Sequence, residues 1–367
     1  MTTTMDDVEV APPDIDMSKV EAFGVQMMSI LNLGMTANMM SIGHQVGLFD
    51  TMAGIGHPAT SEEIAEAAGL DERYVREWLG AMTTSDVVEY DGGKGGYLLP
   101  PEHAALTTSA AGPNNFASYT QLIPMCGAIE PELIEAFHDG GGVPYSSFPR
   151  FHAAMRQISA ATFDATLVDV TLPLVPGAVE ELRSGIRVAD VGTGSGHAIN
   201  VMAKAFPDST FVGFDIAEEA LAVGRAEAEE WGLSNAEFRV HDAANLADVG
   251  SFDLVTTFDA VHDQVDPVAM VRGVFDMVNS GGYWLCVDIQ ASSHVGENIG
   301  HPLGTFFYSV SCSHCMTVSL AHQGAGLGAM WGVQAARKMF TDAGFVDLEV
   351  HNVEGDVANN YYVCRKP

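Results

Sequence analysis

The stretch Val188-Ala-Asp-Val-Gly-Thr-Gly-Ser-Gly-His197 decides the fold. Apolar residues at Ile186, Val188 and Val191 run into three glycines at 192, 194 and 196. Ile199, Met202, Ala203 and Phe206 then recur at helical spacing, giving one apolar face. Pro207-Asp208 stops that helix, and Thr210-Phe-Val-Gly-Phe214 reads as a second buried strand ending in Asp215. Glycines let the backbone turn tightly and approach a ligand closely. A carboxylate 19 residues beyond Gly196 is placed to accept hydrogen bonds from a ribose diol. A nucleotide-like ligand is therefore expected at the carboxyl ends of the strands. The spacing is G-x-G-x-G, with Asp190 two residues ahead of the first glycine, and not the G-x-G-x-x-G of dinucleotide sites.

Working outward, 367 residues predict two domains of ordinary size, and 47% apolar residues predict a globular chain. The net charge of −32, from 48 acids against 16 bases, disfavours nucleic acid and anionic lipid as partners. No run of 18 apolar residues occurs, and the acidic start, Met-Thr-Thr-Thr-Met-Asp-Asp, lacks the basic residues of a signal peptide. Five scattered cysteines form no disulfide framework. A soluble cytoplasmic protein with reduced thiols is expected.

Four segments follow from the pattern. Residues 1–17, polar and acidic with Pro12-Pro13, read as a disordered lead. Residues 18–118 begin with a Met-rich helical stretch from Val20 to about Phe49, whose apolar stripe is either core or a subunit interface. Thr60-Ser-Glu-Glu63 is a capping box opening a helix that stops at Gly69. Asp71 starts a second helix with Val75, Trp78, Leu79 and Met82 on one face, and strands at 87–90 and 97–99 make a hairpin around a glycine-rich turn. Together these describe a winged helix. Residues 1–110 carry 17 acids against 4 bases, so DNA binding is disfavoured and dimerisation fits better.

Residues 119–165 read as a helical connector, with Gly140-Gly-Gly-Val-Pro-Tyr145 either a lid or a solvated loop. Phe151, His152 and Met155 sit on a helix able to cover the ligand. Residues 166–367 continue the alternation of the opening unit. Strands are expected at 236–240, 251–258 and 283–289, a helix starting at Asp266-Pro267, then a helix at 333–343 and strands at 345–353 and 360–365. That order predicts an α/β domain with a largely parallel sheet covered on both faces.

The glycine motif resembles motif I of class I S-adenosylmethionine (SAM) methyltransferases. Val46-Gly-Leu-Phe-Asp50, Arg76-Glu-Trp-Leu79, Glu102-His-Ala-Ala105 and Gly281-Gly282 extend the resemblance over roughly residues 25–365. The chain is similar to small-molecule methyltransferases with an N-terminal winged-helix dimerisation domain, the group of plant caffeate-type and bacterial tailoring O-methyltransferases. Gly140–Tyr145, Val261-His-Asp-Gln264 and His314–Leu320 bring it closest to a less characterised bacterial subgroup. The resemblance implies a Rossmann-like seven-stranded methyltransferase domain behind a mostly α winged-helix domain, SAM as cofactor and a homodimer.

It also implies a site. Asp190, Gly192, Thr193, Gly194, Gly196, Asp215, Ile216, Asp242, Ala243, Phe258 and Asp259 would hold SAM. In the family a His-Asp-Trp supplies the general base; here His262 and Asp263 match and Gln264 does not. His262 is thus a base or an orienting residue. Tyr145 and His152, with Phe307, His314 and Met316 from the aromatic- and His-rich stretch 291–332, would line the acceptor pocket. Cys312-Ser-His-Cys315 offers one C-x-x-C where a zinc site wants two pairs, so no metal is expected. Three functions follow: O-methyl transfer to a small molecule, S-methyl transfer to a thiol or thioether without a base, and a SAM-sensing winged-helix regulator. A dehydrogenase is disfavoured by the glycine spacing.

Overall fold

The structure, a computed structural model, describes residues 15–93 and 95–367. The chain divides between Ala104 and Ala105 into two compact units, earlier than the expected boundary at 118. Residues 1–14 of the expected disordered lead, and Lys94 of the glycine-rich turn, lie outside the described residues.

The first unit starts with helix α1 (Met17–Gln45), capped by Asp16, whose side chain accepts from the Ser18 N–H at 3.0 Å. The helical stretch expected up to Phe49 is broken: α1 ends at Gln45, and α2 spans Leu48–Ile55 after a left-handed Gly47. Phe23, Met28, Leu31, Leu33 and Met35 on α1 are each more than half exposed, so its stripe is not core of this unit. The Thr60/Glu63 capping box forms on α3 (Ser61–Ala68), with the Thr60 N–H to Glu63 bond at 2.8 Å. Helix α4 (Glu72–Thr84) buries Val75, Trp78, Leu79 and Met82, the four positions expected on one face. The hairpin pairs β1 (Glu89–Asp91) with β2 (Gly96–Leu98), Glu89 opposite Leu98.

The second unit is built on a seven-stranded sheet. Its strands are β3 (Arg187–Val191), β4 (Thr210–Asp215), β5 (Ala236–Val240), β6 (Phe252–Phe258), β7 (Val278–Ile289), β8 (Val346–His351) and β9 (Asn359–Arg365). They lie in the order β5-β4-β3-β6-β7-β9-β8. Only β9 runs against its neighbours β7 and β8. Successive side chains of a strand point to opposite faces, so β3 sends Ala189 and Val191 into one core and Val188 into the other. The first core lies under the helices Pro267–Met277 and Gly332–Ala343; the second lies under Ala178–Ser184, His197–Ala205 and the turns around Leu167–Val175. Burial on both faces is what near-continuous apolar strands require. The order reverses between β3 and β6, the place where open sheets of this kind leave a crevice outside the strand ends. The stretch 119–165 is mostly short helices, running into a π-helical segment at Phe163–Thr171. Among the described residues, no single helix is long and apolar enough to cross a membrane.

Candidate active site

The expected cofactor residues gather at the carboxyl ends of β3, β4 and β5. Gly192, Gly194 and Gly196 all have positive φ, 75°, 54° and 71°. Their surroundings differ. A Cβ on Gly192 would lie 2.5 Å from Ala260 Cβ, and one on Gly196 would lie 2.1 Å from the Phe238 ring, whereas one on Gly194 would meet nothing within 4 Å. Gly192 and Gly196 are therefore packing positions, and Gly194 borders open space. The loop is tied to the acid of the next strand: the Gly194 N–H donates to Asp215 Oδ2 at 2.8 Å and the Ala217 N–H to Oδ1 at 2.9 Å. A carboxylate has about four acceptor positions, so both oxygens keep capacity for a diol. The His241 N–H donates to the Asp215 carbonyl at 2.8 Å, which brings the ends of β4 and β5 together. There Asp242 holds its own turn, accepting from the Ala244 N–H at 2.9 Å and Asn245 Nδ2 at 3.1 Å. Ala243 packs on the core, and Ile216 is 73% exposed, an apolar side chain with an open face. Asp190 is buried in the sheet, where it accepts from the Thr256 hydroxyl at 2.7 Å; burial pushes its carboxyl up to about 6.

Across the crevice, Phe258 packs edge-on to Phe163 at 4.8 Å. The chain then turns through Asp259, a non-glycine residue at φ 50°, and delivers His262 into the interior. His262 Nδ1 sits 2.7 Å from Asp288 Oδ1. The same oxygen accepts from the Ile289 N–H at 2.8 Å and from Trp331 Nε1 at 3.2 Å, while Oδ2 has no partner. Burial favours a neutral imidazole, but the Asp288 carboxylate and the Cys315 thiol, which hydrogen-bonds the ring, outweigh it and hold its pKa well above 6.5. Sequence reasoning paired His262 with Asp263. The structure makes Asp288, at the end of β7, the orienting carboxylate, and Asp263 instead accepts from Gln264 Nε2 at 3.3 Å. An acid closing the strand Trp284-Leu-Cys-Val-Asp288 was the available signal.

The acids here are perturbed together. Burial, then Asp288, pushes Asp259 up to about 7; burial also pushes Asp263 up to about 6, against the opposing pull of His262. Asp259, His262 and Asp288 bring ligand atoms within 4.8 Å of one another, a set able to hold a cation, and Asp259 Oδ1 has no partner. Cys312 and Cys315 are free thiols, Cys315 buried.

The expected acceptor residues surround the same histidine from several elements. A π-helical turn at Ser311–Cys315 presents His314 and Cys315 on successive residues; such turns recur at functional sites. His314 stacks on Phe151 with ring centres 3.6 Å apart, and meets Tyr145 edge-on at 5.4 Å. Tyr145 in turn touches His152 at 5.0 Å. Burial raises the Tyr145 hydroxyl pKa, with Asp263 and Asp215 adding to it. Phe307 lies with Cys315 in a separate apolar cluster, and Met316 lies beside Gly328, whose N–H donates to the His262 carbonyl at 3.0 Å. His197 is a clamp, with Nδ1 2.9 Å from Glu227 and Nε2 3.0 Å from Asp164.

Comparison with known proteins agrees with this architecture. Residues 34–109 match the Rv2258c-like winged HTH domain, and residues 182–344 match a methyltransferase domain. The ubiquinone biosynthesis O-methyltransferase of Ruegeria pomeroyi is 35% identical over 108 residues, 29% of this chain and 42% of that protein. Its counterpart in Acinetobacter baumannii (strain AYE) is 33% identical over 102 residues, 27% of this chain and 42% of that protein. The chain thus spans less than half the length of these curated relatives. Human N-acetylserotonin methyltransferase in complex with SAM superposes with a TM-score of 0.66 at 14% identity, covering 97% of this chain and 99% of that one. An O-methyltransferase family protein from Burkholderia thailandensis gives 0.62 at 16%, covering 93% and 97%. The chain is a winged HTH domain followed by a seven-stranded methyltransferase domain, a fold shared with these enzymes along nearly its whole length.

Proposed function

We propose that the protein transfers a methyl group from SAM to a hydroxyl oxygen of a small molecule, with His262 as general base. The observation that carries the base is the 2.7 Å contact of His262 Nδ1 with Asp288, which fixes the ring beside the crevice. The glycine loop and Asp215 fit the cofactor: Gly194 borders open space, and the Asp215 carboxylate retains acceptor capacity. Asp215 would take the ribose hydroxyls, Asp242 with Ile216 and Ala243 the base, and the half-buried acids Asp259 and Asp263 suit a cationic ligand. When bound, SAM supplies an electrophilic methyl group on a sulfonium.

The chain's own part is orientation and proton removal. An aliphatic hydroxyl barely ionises at neutral pH, so a positioned base matters, typically about 10²–10⁴-fold. A base acts only when deprotonated, and the pKa of His262 lies well above 6.5. The rate of the wild type should therefore keep rising on the alkaline side of neutrality. The test is kcat of His262→Ala across pH with a turned-over acceptor. A large loss partly recovered at high pH supports the base; a small, pH-independent loss refutes it and favours a sulfur acceptor.

Homodimerisation through residues 20–120 belongs to the same proposal. The exposed apolar residues of α1 are more than a free helix should show to water. Sedimentation at micromolar concentration should give a dimer, and a monomer would remove this part. The free thiols suit a cytoplasmic location.

A further inference from the structure

His314 is 2% exposed, and neither of its ring nitrogens has a partner. Burial, with His262 and His152 adding repulsion, holds its pKa down to about 3, so the ring is neutral and offers one N–H donor and one lone pair. Buried polar groups are nearly always hydrogen-bonded, and an unpaired one is costly.

The rest of its surroundings is complete. Phe151 stacks on the ring at 3.6 Å and 10°, and Phe148 and Tyr145 meet it edge-on at 4.7 Å and 5.4 Å. All three aromatics come from one segment, and that segment is seated on the element that carries His314. The Val143 N–H donates to the Thr317 hydroxyl at 2.8 Å, and a Cβ on Gly142 would lie 1.9 Å from the Thr317 carbonyl oxygen. The next residue, Cys315, hydrogen-bonds His262, and Tyr145 feels the charges of Asp263 and Asp215. The polar edge of His314 is thus unsatisfied inside an aromatic enclosure next to the reacting centre.

We propose that His314 reads the acceptor. Its imidazole pairs with a hydrogen-bonding group of the acceptor other than the atom that is methylated. The inference rests on the methyl-transfer reading and adds to it a specificity-determining residue. A site built to hydrogen-bond a substrate group rejects the analogue that lacks it, because its own polar atoms are left unpaired.

The experiment follows methyl transfer from SAM to phenol and to catechol, resorcinol and hydroquinone, by wild type, His314→Phe and His314→Gln. At least one diol should exceed phenol in kcat/KM by about tenfold or more. His314→Phe should cut that diol's advantage over phenol by about tenfold or more, mainly through KM. His314→Gln, which keeps a donor and an acceptor, should restore part of the preference. The melting temperature of His314→Phe should not fall, since the change removes unpaired buried atoms. Equal use of phenol and the diols by wild type, equal loss on all four with His314→Phe, or no turnover of any of them overturns the proposal. Calorimetric titration with S-adenosylhomocysteine separates the two readings: binding without turnover sinks the role of His314 alone, and no binding sinks methyl transfer with it.

Discussion

The two sides of the crevice are made differently. The cofactor side comes from a nearly continuous piece of chain, residues 188–197 with Asp215 and Asp242, and its hydrogen bonds run between loops at neighbouring strand ends. The acceptor side is assembled from five separated places: residues 142–152, the turn after β6, the end of β7, the π-turn 311–315 and Trp331. Its polar atoms are satisfied across long sequence distances, and several are not satisfied at all. A contiguous site can be read as a motif. A discontinuous one carries no motif, and its chemistry depends on how accurately distant elements meet.

The comparison is broken most directly on the cofactor side. Asp215→Ala should weaken SAM binding by about 2–4 kcal/mol, roughly thirty- to a thousandfold, because buried donors lose a charged acceptor. Calorimetric titration with SAM checks it, and unchanged affinity with the fold intact would remove Asp215 from the site.

On the acceptor side, Asp288→Asn should lower kcat on the order of tenfold and move the pH–rate profile toward acid, since His262 loses the charge that raises its pKa. The sign also holds for stability. The folded pKa of His262 lies above its unfolded value, so the pair stabilises fully below about pH 6.5 and loses that contribution as pH rises through the folded value. The stability gap between wild type and Asp288→Asn, from urea melts, should be larger at pH 6 than at pH 10. An equal gap at both would show that the pair does not titrate.

The smallest effects sharpen the contrast within the cofactor loop. Gly196→Ala forces a Cβ toward the Phe238 ring and should destabilise by about 1–3 kcal/mol beyond the cost of its positive φ. Gly194→Ala, with open space around it, should cost only the backbone strain of about 1–2 kcal/mol, yet lose SAM affinity. Equal loss of stability in the two variants would mean that Gly194 is a packing position as well.

Much of the second unit was legible because its signals are local. The strand expected at 236–240 is β5, and the helix expected at 333–343 starts one residue earlier. The division at Ala104 was not legible, since no composition change marks it. The break of the Met-rich stretch at Gln45 was missed because apolar periodicity continues across it into Leu48, Phe49 and Met52. Asp263 matches the family's His-Asp-Trp motif, whereas the carboxylate that meets His262 lies 26 residues away, on the next strand.

Local sequence specifies the α/β alternation, the glycine turn, the acids that close β4 and β5, and the capped helices of the first unit. Each rests on backbone and side-chain preferences within a few residues of one another, so neighbours in the chain suffice. Long-range packing sets which carboxylate holds His262, buries Asp190 on Thr256, and encloses His314 in three rings without a polar partner. Those depend on strand order and on how separate segments pack. Burial pushes both imidazoles toward the neutral form; the Asp288 carboxylate reverses this for His262, whereas His314 meets aromatic rings and other imidazoles.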